Sequence, residues 1–421
     1  MKDTLEIPSQ RSVSREILRL PVIVAALGYM VDLYDLFLFS IVRVVSLRSL
    51  HLSESSITED GVMLLNLQMA GLLIGGIFWG ILGDKKGRLS VLFGSILIYS
   101  LANIGNGFVT SLSQYAVLRF IAGFGLAGEL GAGMTLVTEI LPKKMRGYGA
   151  VLVSSLGVIG ALLAYISAKM FDWRVSYGIG GILGLLLLVL RFKVFESGIF
   201  VKLKEKKVSR GDISMLFNNK KRFIKYLTCI IVGMPIWFVA GILVTFSPEI
   251  GKSLGITEPL DAGKAILYYF TAQIAGNIVS GFISQYFESR KKAIFIFIIW
   301  SFASSMAFLL SPFKTASSAY WLLACIGFGS GYWTLFITVG AELFGSNLRA
   351  TVATTIPNFV RGTTIPLAST FLFLKGQMGT IYSALIVGVT TYFIAVVALT
   401  FVEETFKKDL NYVEGEEGNG Q

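Results

Sequence analysis

The sequence predicts an all-α membrane protein, with twelve transmembrane helices in two six-helix pseudo-repeated halves. Three observations lead there. Hydrophobic residues make up 54% of the 421 and charged residues only 15%, against roughly 45–50% and ~25% in soluble domains, so the chain lacks a polar skin for globular domains. Apolar stretches approaching the ~20 residues that cross a bilayer as a helix recur along the whole chain, flanked by glycine, proline or charge clusters. They do not alternate with the period of two that a β-barrel requires. Finally, lysine and arginine collect in every second loop.

Taken in order, residues 1–19 are polar and read as a cytoplasmic tail, not as a signal peptide. The first six spans are expected near Leu20–Ile41, Val62–Gly83, Ser90–Val109, Ser113–Leu141, Gly149–Ala168 and Tyr177–Leu190, giving an N-terminal half over 20–199. Residues 200–222, with Lys202, Lys204, Lys206, Lys207 and Arg210, form the longest polar stretch between spans. They read as a cytoplasmic linker whose charge suits anionic headgroups. Six further spans follow near Phe223–Phe246, Ala262–Tyr286, Ile294–Leu310, Ala319–Ala341, Val352–Leu374 and Ile381–Phe401, giving a C-terminal half over 223–402. Residues 403–421 end in Gly and Glu and are expected to be a disordered cytoplasmic tail. The pairs Gly71/Gly75 and Gly76/Gly80 are GxxxG motifs, which let helices approach closely in lipid.

The basic clusters set the orientation. Arg11, Arg15 and Arg19 share one side with Lys85, Lys86 and Arg88, and with Lys143, Lys144 and Arg146. The segment from Arg191 to Lys225, the run Arg290-Lys291-Lys292, Arg349 and the pair Lys407-Lys408 fall on that side too. The opposite loops hold only scattered cations such as Arg48, Lys169, Lys252 and Lys314. By the positive-inside rule the basic side is cytoplasmic, and an even number of spans places both termini there. The net charge of +11 is then a matter of topology, and no nucleic-acid partner is expected.

Enzyme chemistry finds little material. His51, the one histidine, lies in a loop, and the two cysteines, Cys229 and Cys325, lie in apolar segments. Neither a histidine-based active site nor a metal centre nor a disulfide framework is implied, and no cofactor is expected. No GxxxxGK[ST] motif is present, so ATP drive is not expected either.

An internal repeat spans half the chain. Glu139-Ile140-Leu141-Pro142-Lys143-Lys144-Met145-Arg146 and Glu342-Leu343-Phe344-Gly345-Ser346-Asn347-Leu348-Arg349 each place Glu seven residues before Arg, at the basic end of a half's fourth span. The clusters Gly80 to Arg88 and Gly281 to Arg290 recur at about the same offset. Two elements in register point to a duplicated six-helix unit.

Gly80-Ile81-Leu82-Gly83-Asp84-Lys85-Lys86-Gly87-Arg88 resembles the GxLaDrxGRr signature of the major facilitator superfamily, with Lys85 where arginine is usual. Gly281-Phe282-Ile283-Ser284-Gln285 and Ser289-Arg290-Lys291-Lys292 resemble its second-half copy. Arg119-Phe120-Ile121-Ala122-Gly123-Phe124-Gly125 with Gly128-Glu129 resembles the RxxxGxGxGGE run of the sugar-porter and metabolite:proton symporter branches. Trp173-Arg174 and Glu196-Ser197-Gly198-Ile199-Phe200 fit those branches as well. The resemblance implies the major facilitator fold. In its terms Gly80, Asp84, Gly87, Arg88, Glu139, Arg146, Glu342 and Arg349 form a cytoplasmic gate, whose pairs latch one conformation and release in the other. Ordinary interfacial charges are the alternative.

Charges within spans are costly in the bilayer and so mark function. Asp32 and Asp35 share a face of the first span. Asp35 lies ~22 Å along its helix and Arg119 ~9 Å below the far surface, which in a ~30 Å core puts them at matching depth. The resemblance gives such an Asp and Arg the proton-coupling roles, a purely structural pair being the alternative; Asp32 is read as a supporting acid. Arg361 has no acidic partner in its own half and reads as unpaired. With Asn358 one turn away it suggests a contact for a substrate anion, a seam residue being the alternative. Gln273, Asn277, Tyr332, Trp333 and Glu129 are further candidates for the substrate pathway.

The expectation is a secondary active transporter, a proton-coupled symporter of a small organic solute working by alternating access, with an organic anion or zwitterion ahead of a sugar. A sugar symporter, a drug or metabolite exporter and a transport-dead receptor are the alternatives. Its partners are the solute, protons and lipid. It is expected to be a monomer in a bacterial inner membrane.

Overall fold

The computed structural model describes residues 20–53, 55–86, 88–141, 146–195, 218–310, 312, 315–345 and 349–406. Within them the side chains of Asp84, Arg88, Glu139, Arg146 and Arg349 lie outside the described set, as does Gly87 entirely. The described regular structure is helical. The first half comprises α1 (Leu20–Ser49), α2 (Ile57–Lys86), α3 (Arg88–Asn106), α4 (Leu112–Ile140), α5 (Arg146–Met170) and α6 (Trp173–Phe195). In the second half α7 (Lys220–Phe238) runs on through a π-helical turn, Val239–Val244, into the short α8 (Ser247–Ser253). Then come α9 (Ala262–Tyr286), α10 (Arg290–Leu309), α11 (Ala316–Gly329), α12 (Trp333–Glu342), α13 (Arg349–Gly362), α14 (Thr364–Met378) and α15 (Thr380–Phe401).

Among the described residues, nine helical stretches are long and apolar enough to cross a membrane. They correspond to nine of the expected spans. The other three are α3, of 19 residues, α4, of 29, and the pair α13/α14. Two expected spans are therefore broken helices. The tenth is interrupted at Ser330–Tyr332, inside a glycine-rich run, and the eleventh at Thr363, just after Gly362. The first span is longer than predicted. It was expected to stop at Ile41 before Arg43, but α1 continues to Ser49 with Arg43 fully buried.

Side-chain caps start several helices. Ser111 accepts from the Gln114 amide, Asp261 from that of Lys264 and Thr315 from that of Ser318, satisfying amides left open at a helix start. Within the first half α1 packs on α5, α2 on α4, and α3 on α4 and α6. Gly71 lets α2 come so close that a Cβ there would lie 2.1 Å from the Phe120 carbonyl oxygen. In the second half α9 and α10 pack on α11, and α7 on α15. The seam between halves is built by α13 against α2 and α4, α9 against α5, and α14 against α2. α1 lies at the centre and is the most buried of these nine apolar stretches.

Candidate functional site

The central helix α1 carries functional groups on two faces. Tyr29, Leu33 and Phe37 recur every fourth residue and so share a face. They line a cavity between the halves together with Ser154 and Val158 of α5, Trp237 of α7 and Trp333 of α12. Tyr269, Phe270, Gln273 and Asn277 of α9 line it as well, with Ile236 and Ala240 beside Trp237. Six of these side chains are aromatic. The cavity measures about 30 Å³, room for roughly one or two waters, so the core is closed around it. A wider depression beside Gly105, Phe108 and Val117 opens on the flank of α3 and α4, and no charged side chain lines it.

Asp32 lies beside the lining face. Arg361 of α13 grips it with Nη2–Oδ2 at 2.8 Å and Nη1–Oδ1 at 3.4 Å, both side chains being fully buried. The guanidinium also stands 5.8 Å over the cavity-lining Trp237 ring. Arg361 is thus not unpaired, and its partner comes from the other half of the chain. Pairing lets two charges stay out of water that neither could bear alone.

Asp35, one turn further along α1, reaches into the first half. Its carboxylate is 3.6 Å from Nη1 of Arg119, and both side chains are completely buried. Neither Asp35 oxygen and none of the three Arg119 nitrogens has a hydrogen-bond partner within the protein. The contact is ionic and looser than a hydrogen bond. The guanidinium also stands 4.9 Å over the Phe39 ring and 5.7 Å over that of Tyr177.

Other candidates sit differently from expectation. Glu129 does not reach the cavity, because Arg191 holds it bidentately at 2.9 and 2.7 Å and Ser95 donates to it at 3.0 Å. Asn358 spans the seam, donating to the Ala127 carbonyl at 2.9 Å. Tyr332 packs behind the cavity with its hydroxyl donating to Val232 O at 3.0 Å, while Trp333 faces inward and donates to the Tyr29 hydroxyl at 3.3 Å. Gln273 donates to Ser330 O, and Asn277 accepts from Thr334.

Of the expected gate, Gly80 is buried in α2, and Glu342 accepts from Arg290 at 3.4 Å and from Thr405 at 2.7 Å. Asp84, Gly87, Arg88, Glu139, Arg146 and Arg349 fall outside the described residues and side chains. Beside Glu342, Glu404 follows the last helix and accepts from Ser289 and from the backbone amides of Arg290, Lys291 and Phe406. Partial burial pushes the Glu404 carboxyl up, but the bond from Ser289 and these amides outweigh it, so its pKa lies below the ordinary value.

Two buried, ion-paired arginines escape sequence reading. Arg191, which the sequence groups with the basic cytoplasmic segment, is buried in α6. Arg43 was placed past the end of the first span, yet it donates to Glu249 at 2.6 Å under cover of the Phe246 ring. Arg43–Glu249 is one of several contacts that close the seam at the end away from the basic clusters. Ser40 meets Thr245 at 2.9 Å and Lys169 meets Asp261 at 2.9 Å there. Asn66 donates to Ser369 at 2.9 Å across the same seam.

Comparison with known proteins adds to this geometry. The sequence model of the Major Facilitator Superfamily matches residues 25–362. A Bacillus subtilis protein assigned to niacin/nicotinamide transport is 26% identical over 382 residues, covering 87% of this chain and 86% of that protein. The gentisate transporter of Corynebacterium glutamicum is 25% identical, over 76% of this chain and 73% of its own. Among solved structures, a D-xylose–proton symporter is similar in fold, with a TM-score of 0.69 at 19% identity over 92% of this chain and 99% of that one.

Proposed function

This chain belongs to the Major Facilitator Superfamily of membrane transporters, and on that premise we propose that it is a proton-coupled symporter of a small organic anion. The reading rests above all on the Asp35–Arg119 pair, two fully buried charges 3.6 Å apart with no hydrogen bond between them. A carboxylate held this loosely is poised to exchange its cation partner for a proton. When Asp35 takes the proton, its charge vanishes and Arg119 is left to the Phe39 and Tyr177 rings. When the proton leaves, the ion pair returns. Coupling follows if the two forms favour different arrangements of the halves.

The anion is assigned to the aromatic cavity. Arg361 supplies a planar fork suited to a carboxylate, Asp32 occupies that fork between solutes, and the lining rings offer faces to a flat molecule. Niacin and gentisate, named for two relatives, are both aromatic carboxylic acids, which supports an aromatic monocarboxylate as the solute class. With the basic clusters in the cytoplasm, the end sealed by Arg43–Glu249 faces outward, so the arrangement described is closed to the outside. On this reading both termini are cytoplasmic, the membrane is a bacterial inner membrane and the monomer is the working unit.

The test is purified protein in liposomes loaded with a pH-sensitive dye and offered nicotinate, gentisate and benzoate in turn. Solute entry should acidify the lumen. Uptake that leaves the dye unchanged would remove the proton from the mechanism.

A further inference from the structure

From the two faces of α1 we infer that the coupling proton reaches Asp35 by its own route, a polar file through the first half past Asn106 and Asn103. The inference rests on the symport reading and adds the path that reading leaves open. Tyr29, Leu33 and Phe37 face the solute cavity, and Asp35, two residues from both Leu33 and Phe37, lies about 200° away around the helix. Asp35 is completely buried and does not line that cavity. The solute-facing side chains and Asp35 thus lie on opposite sides of α1, and Asp32 at the cavity edge is held by Arg361.

The opposite side of α1 offers a different road. α3 ends at Asn106 on the face away from the basic clusters, with Asn103 one turn deeper. Both amides are buried, at 0% and 1% exposure, and Asn106 Nδ2 donates to the side-chain oxygen Oδ1 of Asn103 at 3.5 Å. Asn103 in turn neighbours the Asp35 carboxylate. Asparagine is an expensive residue to bury in a membrane helix, and two in register one turn apart on a path to the loosely held Asp35 are not explained by packing.

Their unmet hydrogen bonds point the same way. Asn106 Oδ1, Asn103 Nδ2, both Asp35 oxygens and all three Arg119 nitrogens lack protein partners. Buried polar atoms are nearly always satisfied, and water is the partner small enough to serve such a cluster. A file of waters along these amides carries protons and excludes the solute. The other polar groups around Asp35 are Arg119 and Tyr115 of α4, Tyr99 of α3, Tyr177 of α6, and Tyr34 and Asp32 of α1. Tyr115 and Tyr177 bond to each other at 2.7 Å and Tyr34 bonds to Ser167 at 2.9 Å, whereas the Tyr99 and Ser100 hydroxyls of α3 lack protein partners as the asparagine atoms do, so the open side is that of α3.

Infrared spectroscopy of the full-length protein tests the route without any solute. The protonated Asp35 carboxyl band, identified by its absence in Asp35→Asn, shifts when its proton exchanges with D2O. In wild type and Asn103→Ser the shift should be complete within mixing, whereas in Asn103→Leu it should slow by about tenfold or more. Asn106→Leu provides the same reading should Asn103→Leu fail to fold. Equal exchange rates in wild type and the leucine variant would overturn the route and leave symport standing. No Asp35 band at any pH would remove both.

Discussion

Asp32 of α1 and Arg361 of α13 are 329 residues apart in the chain and meet across the seam as a buried bidentate pair, with its shorter contact at 2.8 Å. The pair joins the two halves at the edge of the aromatic cavity. It therefore holds the fork closed until an anion competes for it. Arg361→Lys keeps the charge and loses the fork. Losing one charge-assisted bond, about 1.5–3 kcal/mol, should weaken binding of a transported carboxylate roughly ten- to hundredfold. Equilibrium binding measures it. Asp32→Ala removes one partner only and should lower stability by about 3–5 kcal/mol, read as a fall in melting temperature that Asp32→Ala/Arg361→Met partly restores.

The closed end should be lockable. Ser40 and Thr245 touch through their hydroxyls at 2.9 Å, beside the Arg43–Glu249 pair. With Cys229 and Cys325 replaced, Ser40→Cys/Thr245→Cys should form a disulfide on mild oxidation and stop transport, and reductant should restore it. Full transport with the disulfide formed would mean that this end need not open.

Close packing at α2 and α4 makes one substitution costly and another harmless. A methyl at Gly71 would meet the Phe120 carbonyl, whereas nothing lies within 4 Å of a methyl at Gly376. Gly71→Ala should destabilise the protein by about 1–3 kcal/mol through overpacking, and Gly376→Ala should be near neutral. Thermal unfolding in detergent distinguishes the two.

Glu404 gives a pH expectation. Its folded pKa is depressed, so its grip on the start of α10 is present above the ordinary carboxylate pKa and is lost only as pH falls through the lower, folded value. Amide exchange over residues 402–406, corrected for intrinsic rates, should show equal protection at neutral and mildly acid pH. Glu404→Gln should lose protection at both. The docked segment thus stays in place over the pH range in which a proton gradient operates.

Much of this was legible in the sequence, for physical reasons. Apolar length and basic alternation located the spans, and helical rise alone placed Asp35 level with Arg119. Pairs across the seam were not legible, because periodicity describes each helix face but not its opposite number. A second acid one turn from Asp35 was the available signal that Arg361 had a partner. Arg43 and Arg191 were missed because a charge near a span's end reads as its end, yet an acid in another helix can draw it inside. The breaks in the tenth and eleventh spans were foreshadowed by Gly327, Gly329, Gly331 and Gly362, which hydropathy ignores.

Proton coupling at Asp35 is the central claim, and Asp35→Asn tests it most directly. Asparagine imitates the permanently protonated carboxyl and removes its competition for Arg119. Asp32→Asn should have a smaller effect on coupling, and removing Arg119 should also impair it. The measurement is uptake of one transported carboxylate into proteoliposomes, with an imposed proton gradient and, separately, as counterflow at zero gradient. The predicted result for Asp35→Asn is loss of gradient-driven accumulation with counterflow retained. Accumulation at the wild-type level would contradict the account and move the proton to another acid, Asp32 or Glu129.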